Sequence, residues 1–339
     1  RLVMKRNRDI MMEFLANPTN LTVDDVERGE YCRNFLQNDL TFRTVKGKTV
    51  EFDNAIRKVL AVQDQFDTYL HNDFASDPGL NLIIREHPDA IMHCAGTSLV
   101  GPSIKNPDVY YNNNVVKTLK LLEIVRKSLP RCKVIFSSSA ATYGTPVAGL
   151  SCKETDNLKP ISPYGESKLM IEQVLQAYKV GYNLDFVALR YFNACGADPQ
   201  ARHGQEPNGT HIISRVLESL RDNKEFTLNG TNFDTVDVTC IRDYIHVEDI
   251  ARAHMISLSY NIPAGIYNLG SAKGTSNREI INIAERITQR KLNLVEGPRR
   301  EGDPDALTAD PAKFNALAGN WKKYSLDDMI RHAWNWYTK

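Results

Sequence analysis

The chain has 339 residues, of which 42% are apolar and 24% are charged, and its formal net charge is +1. This size and composition are typical of one large or two smaller globular domains. The balanced charge gives no indication of nucleic acid or an anionic membrane as a partner, and no apolar run approaches the roughly 18 residues that a membrane helix needs. The six cysteines form no Cys-x-x-Cys pair. We therefore expect reduced thiols in a cytoplasmic protein without a signal peptide.

Residues 1–70 are predicted to be helical. Thr22–Asp25 has the form of a helix N-cap followed by acidic residues. Between Phe52 and Leu70, apolar residues recur every three or four positions, which is the period of one helix face.

From about residue 71 onward, short apolar runs alternate with helical patterns. The predicted strands and helices are, in chain order, strand 90–95, helix 115–125, strand 133–136, helix 168–178, strand 184–189 and helix 212–220. Strands separated by helices of this length predict an α/β fold with a doubly wound parallel sheet. The stretch 196–235 is rich in Gly, Pro and Asn. We expect a smaller C-terminal lobe to leave the sheet there.

A tyrosine and a lysine, Tyr164 and Lys168, lie four residues apart in a predicted helix and so share one helix face. A lysine beside a tyrosine favours the phenolate and lowers the tyrosine pKa toward the range of a general base. The pair alone is weak evidence, because about one Tyr-x-x-x-Lys is expected by chance in such a chain. An exposed helical pair is the alternative interpretation.

A serine-rich segment, Ser137–Ser139, directly follows the predicted strand at 133–136. Ligands of open α/β sheets bind at the carboxyl ends of the strands, where a hydroxyl can share a proton with a bound alcohol. Pro163 can begin the helix that carries the tyrosine. Together these features predict a catalytic set of Ser139, Tyr164 and Lys168.

These motifs resemble the extended short-chain dehydrogenases and, among them, the UDP-glucose 4-epimerase family. The segments 136–144 (Phe-Ser-Ser-Ser-Ala-Ala-Thr-Tyr-Gly) and 162–168 (Ser-Pro-Tyr-Gly-Glu-Ser-Lys) are similar to family motifs. Ala140–Ala141 stands where sugar-nucleotide dehydratases usually carry an acidic pair. Further similar segments follow in order at 93–96, 112–115, 190–197, 242–247 and 298–303. The resemblance covers about residues 71–339.

The resemblance implies a Rossmann-like domain and inversion of the sugar C4 by transient hydride transfer to bound NAD. The implied cofactor-binding residues are Asp73, Phe74, Cys94, Ala95, Gly96, Asn113, Ser137, Tyr164 and Lys168. The implied UDP-sugar-binding residues are Ser139, Asn193, His211, Ile212, Arg242, Tyr244, Arg300 and Asp303. A surface salt bridge is the alternative role for each arginine, and a core position is the alternative for His211. No metal is expected.

The cofactor end departs from the family. The family opens with a strand and a Gly-x-x-Gly-x-x-Gly loop at a helix N-terminus that holds the cofactor pyrophosphate, but residues 1–70 contain only Gly29 and Gly47. Ser98 stands where the family commonly has a lysine. We therefore expect weak NAD binding. In an alternative interpretation, Val50–Asn54 is the family's second strand, with Asp53 on the adenine ribose.

Three segments are therefore predicted: an atypical helical segment at 1–70, a cofactor domain at 71–195 with 236–262 returning to it, and a substrate lobe at 196–339. The family pairs the helices near 113–127 and 165–178 across a two-fold axis, so a homodimer is expected. The extra apolar positions that would form the interface are Leu119, Leu122, Ile124, Met170 and Val174. Two alternative functions stay open. One is a vestigial sugar-nucleotide-binding protein with little NAD, and the other is a related UDP-sugar dehydratase or decarboxylase.

Overall fold

The computed structural model describes residues 2–3, 73–147, 151–207, 209–258, 261–300 and 303–339, with only the backbone given for residues 2–3. The predicted helices of the N-terminal segment and the alternative strand at 50–54 lie outside the described residues.

The secondary structure follows the predicted alternation. The strands are β1 (Leu2–Val3), β2 (Ala90–His93), β3 (Lys133–Ser139), β4 (Phe186–Tyr191), β5 (Asn193–Cys195), β6 (Glu225–Asn229), β7 (Ile241–His246), β8 (Gly265–Leu269), β9 (Gly274–Ser276), β10 (Asn293–Gly297) and β11 (Ala306–Leu307). The α-helices are α1 (Asp77–Glu86), α2 (Val100–Lys105), α3 (Pro107–Tyr110), α4 (Lys117–Ser128), α5 (Pro163–Tyr182), α6 (Ile212–Asp222), α7 (Val247–Ser257), α8 (Asn277–Thr288), α9 (Ala312–Ala318) and α10 (Leu326–Tyr337). A π-helix, Tyr111–Val116, leads into α4, and a 3-10 helix, Ala140–Thr142, follows β3.

The main sheet has the strand order β1-β2-β3-β4-β8. Its strands β2, β3, β4 and β8 are parallel, and β1 pairs with β2 in the antiparallel sense. One face packs Phe136 and Ala188 against Ile171 of α5. The other face packs Leu189 against Ile250 of α7. Helices on both faces of a mostly parallel sheet confirm the predicted doubly wound α/β fold.

A second core forms around the two-stranded parallel sheet of β6 and β10. Helices α6, α8 and α10 contribute Leu217, Ile280 and Ile330 to it, and Phe226 of β6 packs among them. A third small sheet, with β7 between β5 and β11, joins the end of β4 to this lobe. The predicted boundary between the two domains stays a prediction.

The start of α5 explains how the Tyr164 turn reaches the end of β3. Ser162 is the N-cap and accepts a hydrogen bond from the backbone N–H of Gly165, and Pro163 occupies the first turn. A Cβ on Gly165 would lie 2.5 Å from the carbonyl oxygen of Ala141. Glycine therefore permits the helix to approach the 3-10 helix this closely. Within the described ranges, no helix is long and apolar enough to cross a membrane.

Candidate active site

Lys168 is held at the carboxyl end of β3. Its ammonium donates a hydrogen bond to the carbonyl oxygen of Ser137 at 2.9 Å and lies 5.0 Å from the ring centroid of Phe136. The same ammonium lies 5.8 Å from the ring centroid of Tyr164, one helical turn earlier. The side chain of Lys168 is buried. The helix thus places a fixed cation beside the phenol, in the geometry that the sequence spacing predicts.

Ser139 ends β3 and begins the 3-10 helix. Its hydroxyl accepts a hydrogen bond from the backbone N–H of Ala141 at 3.2 Å. Because Ala141 is also the residue that Gly165 approaches, the Ser139 turn lies against the first turn of α5. The structure therefore brings Ser139, Tyr164 and Lys168 to one end of the sheet.

The turn after β2 is tied to α5 through one buried amide. The side chain of Asn114, within the π-helix, accepts from the backbone N–H of Thr97 at 2.6 Å and donates to the Thr97 carbonyl and to the Ser167 hydroxyl, both at 2.9 Å. Ser167 donates to the carbonyl of Tyr164 at 2.7 Å. A Cβ on Gly96 would lie 3.1 Å from Asn114 Oδ1 and 3.4 Å from Lys168 Nζ. Gly96 therefore leaves room beside the Lys168 ammonium.

Asn113, the predicted cofactor residue of this helix, donates from its side chain to the Thr97 hydroxyl at 2.9 Å. Both amides therefore fix the same turn, in which Cys94 and Ala95 precede Gly96.

Tyr110 links this turn to Tyr164. Its hydroxyl contacts the carbonyl oxygens of Ser98 and, at 2.8 Å, of Leu99. Its ring packs edge-on to that of Tyr164, with centroids 6.4 Å apart. Leu99 has φ of +79°, a region that non-glycine residues rarely occupy. A buried tyrosine thus holds a strained loop against the catalytic candidate.

Two buried histidines lie behind the turn. His254 hydrogen-bonds to the Ile250 carbonyl at 2.9 Å through Nδ1 and to the Ser137 hydroxyl at 3.1 Å through Nε2. Burial lowers the pKa of His254 to about 4. His93 hydrogen-bonds to Thr118 at 2.7 Å, and burial, followed by the Lys168 charge, lowers its pKa to about 3. Both rings are therefore neutral at physiological pH.

Cys94 lies at the edge of this polar group, with its Sγ 4.0 Å from Nε2 of His254, and burial raises its pKa. Two further predicted cofactor-binding residues, Asp73 and Phe74, lie just before α1. Asp73 forms an ion pair with Lys117 at 2.7 Å. The Phe74 ring packs edge-on against His93, with centroids 5.1 Å apart.

A buried ion pair between Arg190 and Glu172 contacts the serine segment, Ser137–Ser139. Arg190 donates from Nε and Nη2 to the two carboxylate oxygens of Glu172, at 2.8 and 2.6 Å. The Ser138 hydroxyl donates to the same carboxylate at 2.5 Å, and Arg190 Nη1 donates to the Tyr143 hydroxyl at 3.0 Å. The pair therefore joins β3, β4 and α5 beneath Ser139.

The predicted UDP residues cluster around β7. Arg242 forms an ion pair with Asp303 at 3.0 Å and donates to the Pro304 carbonyl at 2.9 Å. Asn193 is the register partner of Tyr244 and donates from its side chain to the Asp243 carbonyl at 2.8 Å. Tyr244 is buried, and burial raises its pKa. The carboxylate of Asp303, a predicted UDP-sugar-binding residue, is the partner in that ion pair.

Arg300, His211 and Ile212 approach from the lobe. Nε and Nη2 of Arg300 donate to the amide oxygen of Asn229 at 3.3 and 2.9 Å, in the amide orientation that satisfies both groups. His211 is the N-cap of α6, and Ile212 opens that helix. The exposed side chain of His211 lines a partly open pocket between α6 and α10 together with Trp336.

Five residues of this region were missed by sequence reasoning: Tyr110, Asn114, Glu172, Arg190 and His254. Arg190 and Asn114 lie inside motifs that were recognised, so motif membership was an available signal. Nothing in the sequence pairs Glu172 with Arg190 or places His254 behind Ser137, because these contacts are formed only by the tertiary structure.

Comparison with known proteins defines the class. The family model described as "NAD dependent epimerase/dehydratase family" matches residues 30–270, and the chain belongs to this family. The matched range begins within the N-terminal segment and includes Val50–Asn54, the residues of the alternative interpretation.

Relatives of this chain are named "UDP-glucose 4-epimerase". One from Halalkalibacterium halodurans is 40% identical over 277 residues, which cover 80% of this chain and 82% of the relative. One from Lacticaseibacillus casei is 41% identical over 261 residues, covering 75% and 78%. A Brucella ovis UDP-glucose 4-epimerase solved with NAD has 40% identity and a TM-score of 0.73, covering 78% and 83% of the two chains. The Bifidobacterium longum enzyme solved with NAD+ and UDP has 33% identity and a TM-score of 0.74, covering 83% and 86%.

Proposed function

We propose that this protein is an NAD-dependent UDP-glucose 4-epimerase that interconverts UDP-glucose and UDP-galactose. The observation that carries the proposal is the Lys168 ammonium, which is fixed on the Ser137 carbonyl beside the ring of Tyr164. The Ser139 turn packs against the same helix end. Relatives with about 40% identity that bear this name support the choice of reaction.

The residues at the end of β3 fit the nicotinamide end of NAD. Gly96 leaves open the space that a Cβ would fill near Lys168, and Asn114 keeps the turn in place. We propose that Gly96, Asn113 and Lys168 hold the nicotinamide ribose, with Cys94, Ala95 and Ser137 around it. Bound NAD supplies reversible acceptance of the sugar's C4 hydride.

Tyr164 acts as the general base. As a phenolate it removes the proton of the sugar 4-hydroxyl, and as a phenol it returns a proton when the hydroxyl is restored. Lys168 stabilises the phenolate through its charge. Ser139 shares a hydrogen bond with the same hydroxyl, and the packing of its turn on α5 keeps the two groups on one side of the substrate.

UDP is bound at the lobe. We propose that Arg242 and Arg300 contact the diphosphate, because guanidinium groups match phosphate oxygens. Asn193, His211, Ile212 and Tyr244 line the nucleoside, and Asp303 orients Arg242 through their ion pair.

Weak NAD retention is part of the proposal. The chain has no glycine loop in residues 1–70 and has Ser98 where a phosphate-facing lysine is common. Each lost charge-assisted contact costs roughly 1.5–3 kcal/mol, so we expect NAD affinity at least about a hundredfold below that of a relative with the loop. The family match from residue 30 supports the alternative, in which Val50–Asn54 forms a strand of the cofactor half.

We also propose a homodimer through α2, the π-helix and α5. Ile104, Val116 and Met170 expose 62%, 46% and 40% of their surfaces there. The prediction that Leu122 contributes to this face is wrong, because it is only 1% exposed and packs in the core. Sedimentation should give a dimer at micromolar concentration, and an Ile104→Asp variant should shift toward monomer. A wild-type monomer contradicts the proposal.

The reaction is tested by incubating the purified full chain with UDP-galactose, with and without added NAD, and separating the products by chromatography. We expect UDP-glucose to form and the rate to rise with added NAD. UDP binding without conversion at saturating NAD indicates a vestigial binding protein. Stoichiometric NAD retained through gel filtration contradicts weak binding and favours the alternative strand at 50–54.

A further inference from the structure

Two guanidinium groups next to β6, those of Arg215 and Arg300, have no carboxylate partner among the residues that the structure describes. Their neighbours are neutralised: Arg242 pairs with Asp303 at 3.0 Å and Arg299 with Asp305 at 3.0 Å. Neither Arg215 nor Arg300 lies within 4 Å of a carboxylate in the described ranges. The positive charges of these two side chains are therefore not compensated by a carboxylate there.

The two groups lie along the same strand. The guanidinium of Arg215 lies 5.0 Å from the ring centroid of Phe226 in β6. Arg300 donates to Asn229, the last residue of that strand. Burial, and next the charge of Arg300, lower the pKa of Arg215. Two like charges in a half-buried place repel each other, which is unfavourable unless an anion binds there.

The position of Arg215 in its helix adds to this cost. Helix α6 has 11 residues and begins after His211, and no side chain caps its N-terminal N–H groups. The N-terminal end of a helix is positive and favours anions, so a guanidinium in the first turn is disfavoured. A bound anion removes the repulsion and uses both charges and the helix end together.

We propose that Arg215 is a further diphosphate-binding residue and acts with Arg300 on the nucleotide sugar. The inference rests on the proposed function and extends it, since Arg215 belongs to none of the recognised motifs. Because Arg242 is neutralised by Asp303, the net charge that attracts the diphosphate comes from Arg215 and Arg300.

Calorimetric titration with UDP and with uridine tests this role, since only UDP carries the charge. Arg215→Met keeps an apolar stem on Phe226 and removes the guanidinium, Arg215→Lys keeps the charge, and exposed Arg131→Met is the matched control. We expect Arg215→Met to weaken UDP binding at least tenfold and uridine binding less than twofold. Arg215→Lys should lose less UDP affinity than Arg215→Met, and Arg131→Met should match the parent. Thermal unfolding of each variant verifies that it is folded.

Equal UDP affinity in Arg215→Met and the parent overturns the inference and leaves the proposed function standing. Equal losses for UDP and uridine also overturn it, because Arg215 then contacts the nucleoside instead. If the unchanged protein binds neither ligand, the proposed function fails and the inference fails with it.

Discussion

Breaking the buried ion pair beneath the serine segment should strongly destabilise the protein. Arg190 and Glu172 are each 1% exposed and share two hydrogen bonds, and the same carboxylate accepts from Ser138. Glu172→Leu leaves the Arg190 charge buried without a counter-charge. Loss of one partner of a buried pair costs about 3–5 kcal/mol, a large part of the 5–15 kcal/mol that typically stabilises a folded protein.

The double variant Glu172→Leu/Arg190→Met should recover part of that loss. Replacing both charges with apolar groups removes the uncompensated cation, and such replacements are often close to neutral. Recovery stays incomplete because the Ser138 hydroxyl loses its Glu172 acceptor, at roughly 1–3 kcal/mol, whereas the Tyr143 hydroxyl still donates to Asn268. In the double-mutant cycle, the double variant should therefore lose less stability than the two single variants lose in sum.

Urea unfolding of the parent, Glu172→Leu, Arg190→Met and the double variant measures their free energies of unfolding, from the midpoint and the slope m. Glu123→Gln is the control, since Glu123 forms a similarly short but partly exposed pair with Arg126. It should leave the midpoint unchanged because exposed pairs contribute little. If Glu172→Leu lowers the midpoint no more than Glu123→Gln does, the pair does not support the fold as argued.

Three further changes have defined outcomes. His93 and His254 have folded-state pKa values of about 3 and 4, below about 6.5 for the unfolded chain, so stability is complete above pH 6.5 and falls as pH drops. At pH 5 the two histidines together lower the free energy of unfolding by about 4 kcal/mol. His254→Gln should halve this pH dependence. A urea midpoint that does not change between pH 7 and pH 5 contradicts the prediction. Val238 has φ of +59°, so Val238→Gly should raise the free energy of unfolding by about 1 kcal/mol, and a lower melting temperature refutes this strain. Tyr110→Phe should reduce kcat while UDP affinity by calorimetry stays constant, and an unchanged kcat removes Tyr110 from the positioning of Tyr164.

The sequence predicted the parts of the site that local rules determine. Pro163 and the four-residue spacing of Tyr164 and Lys168 were sufficient to place both side chains on one helix face, and the structure has them there. The strand–serine junction at Ser139 was likewise visible, because strand ends and helix starts have local signatures.

Contacts between distant segments could not be predicted in this way. Asp303 pairs with Arg242 across 61 positions, a contact that no local sequence rule predicts. Leu122 looked like an interface residue because an amphipathic pattern does not tell which apolar position faces the core. The role proposed for Arg215 could not be predicted from the sequence. It depends on the fold, which places the Arg215 charge near that of Arg300 with no carboxylate within 4 Å among the described residues.

Tyr164→Phe tests the central claim most directly, because it removes only the hydroxyl that transfers the proton. With saturating NAD and UDP-galactose, formation of UDP-glucose followed by NMR should fall by about 10²–10⁴ relative to the parent. Calorimetric UDP affinity and the melting temperature should stay within error of the parent values. A Tyr164→Phe rate within a few-fold of the parent rate contradicts the assignment of Tyr164 as the general base.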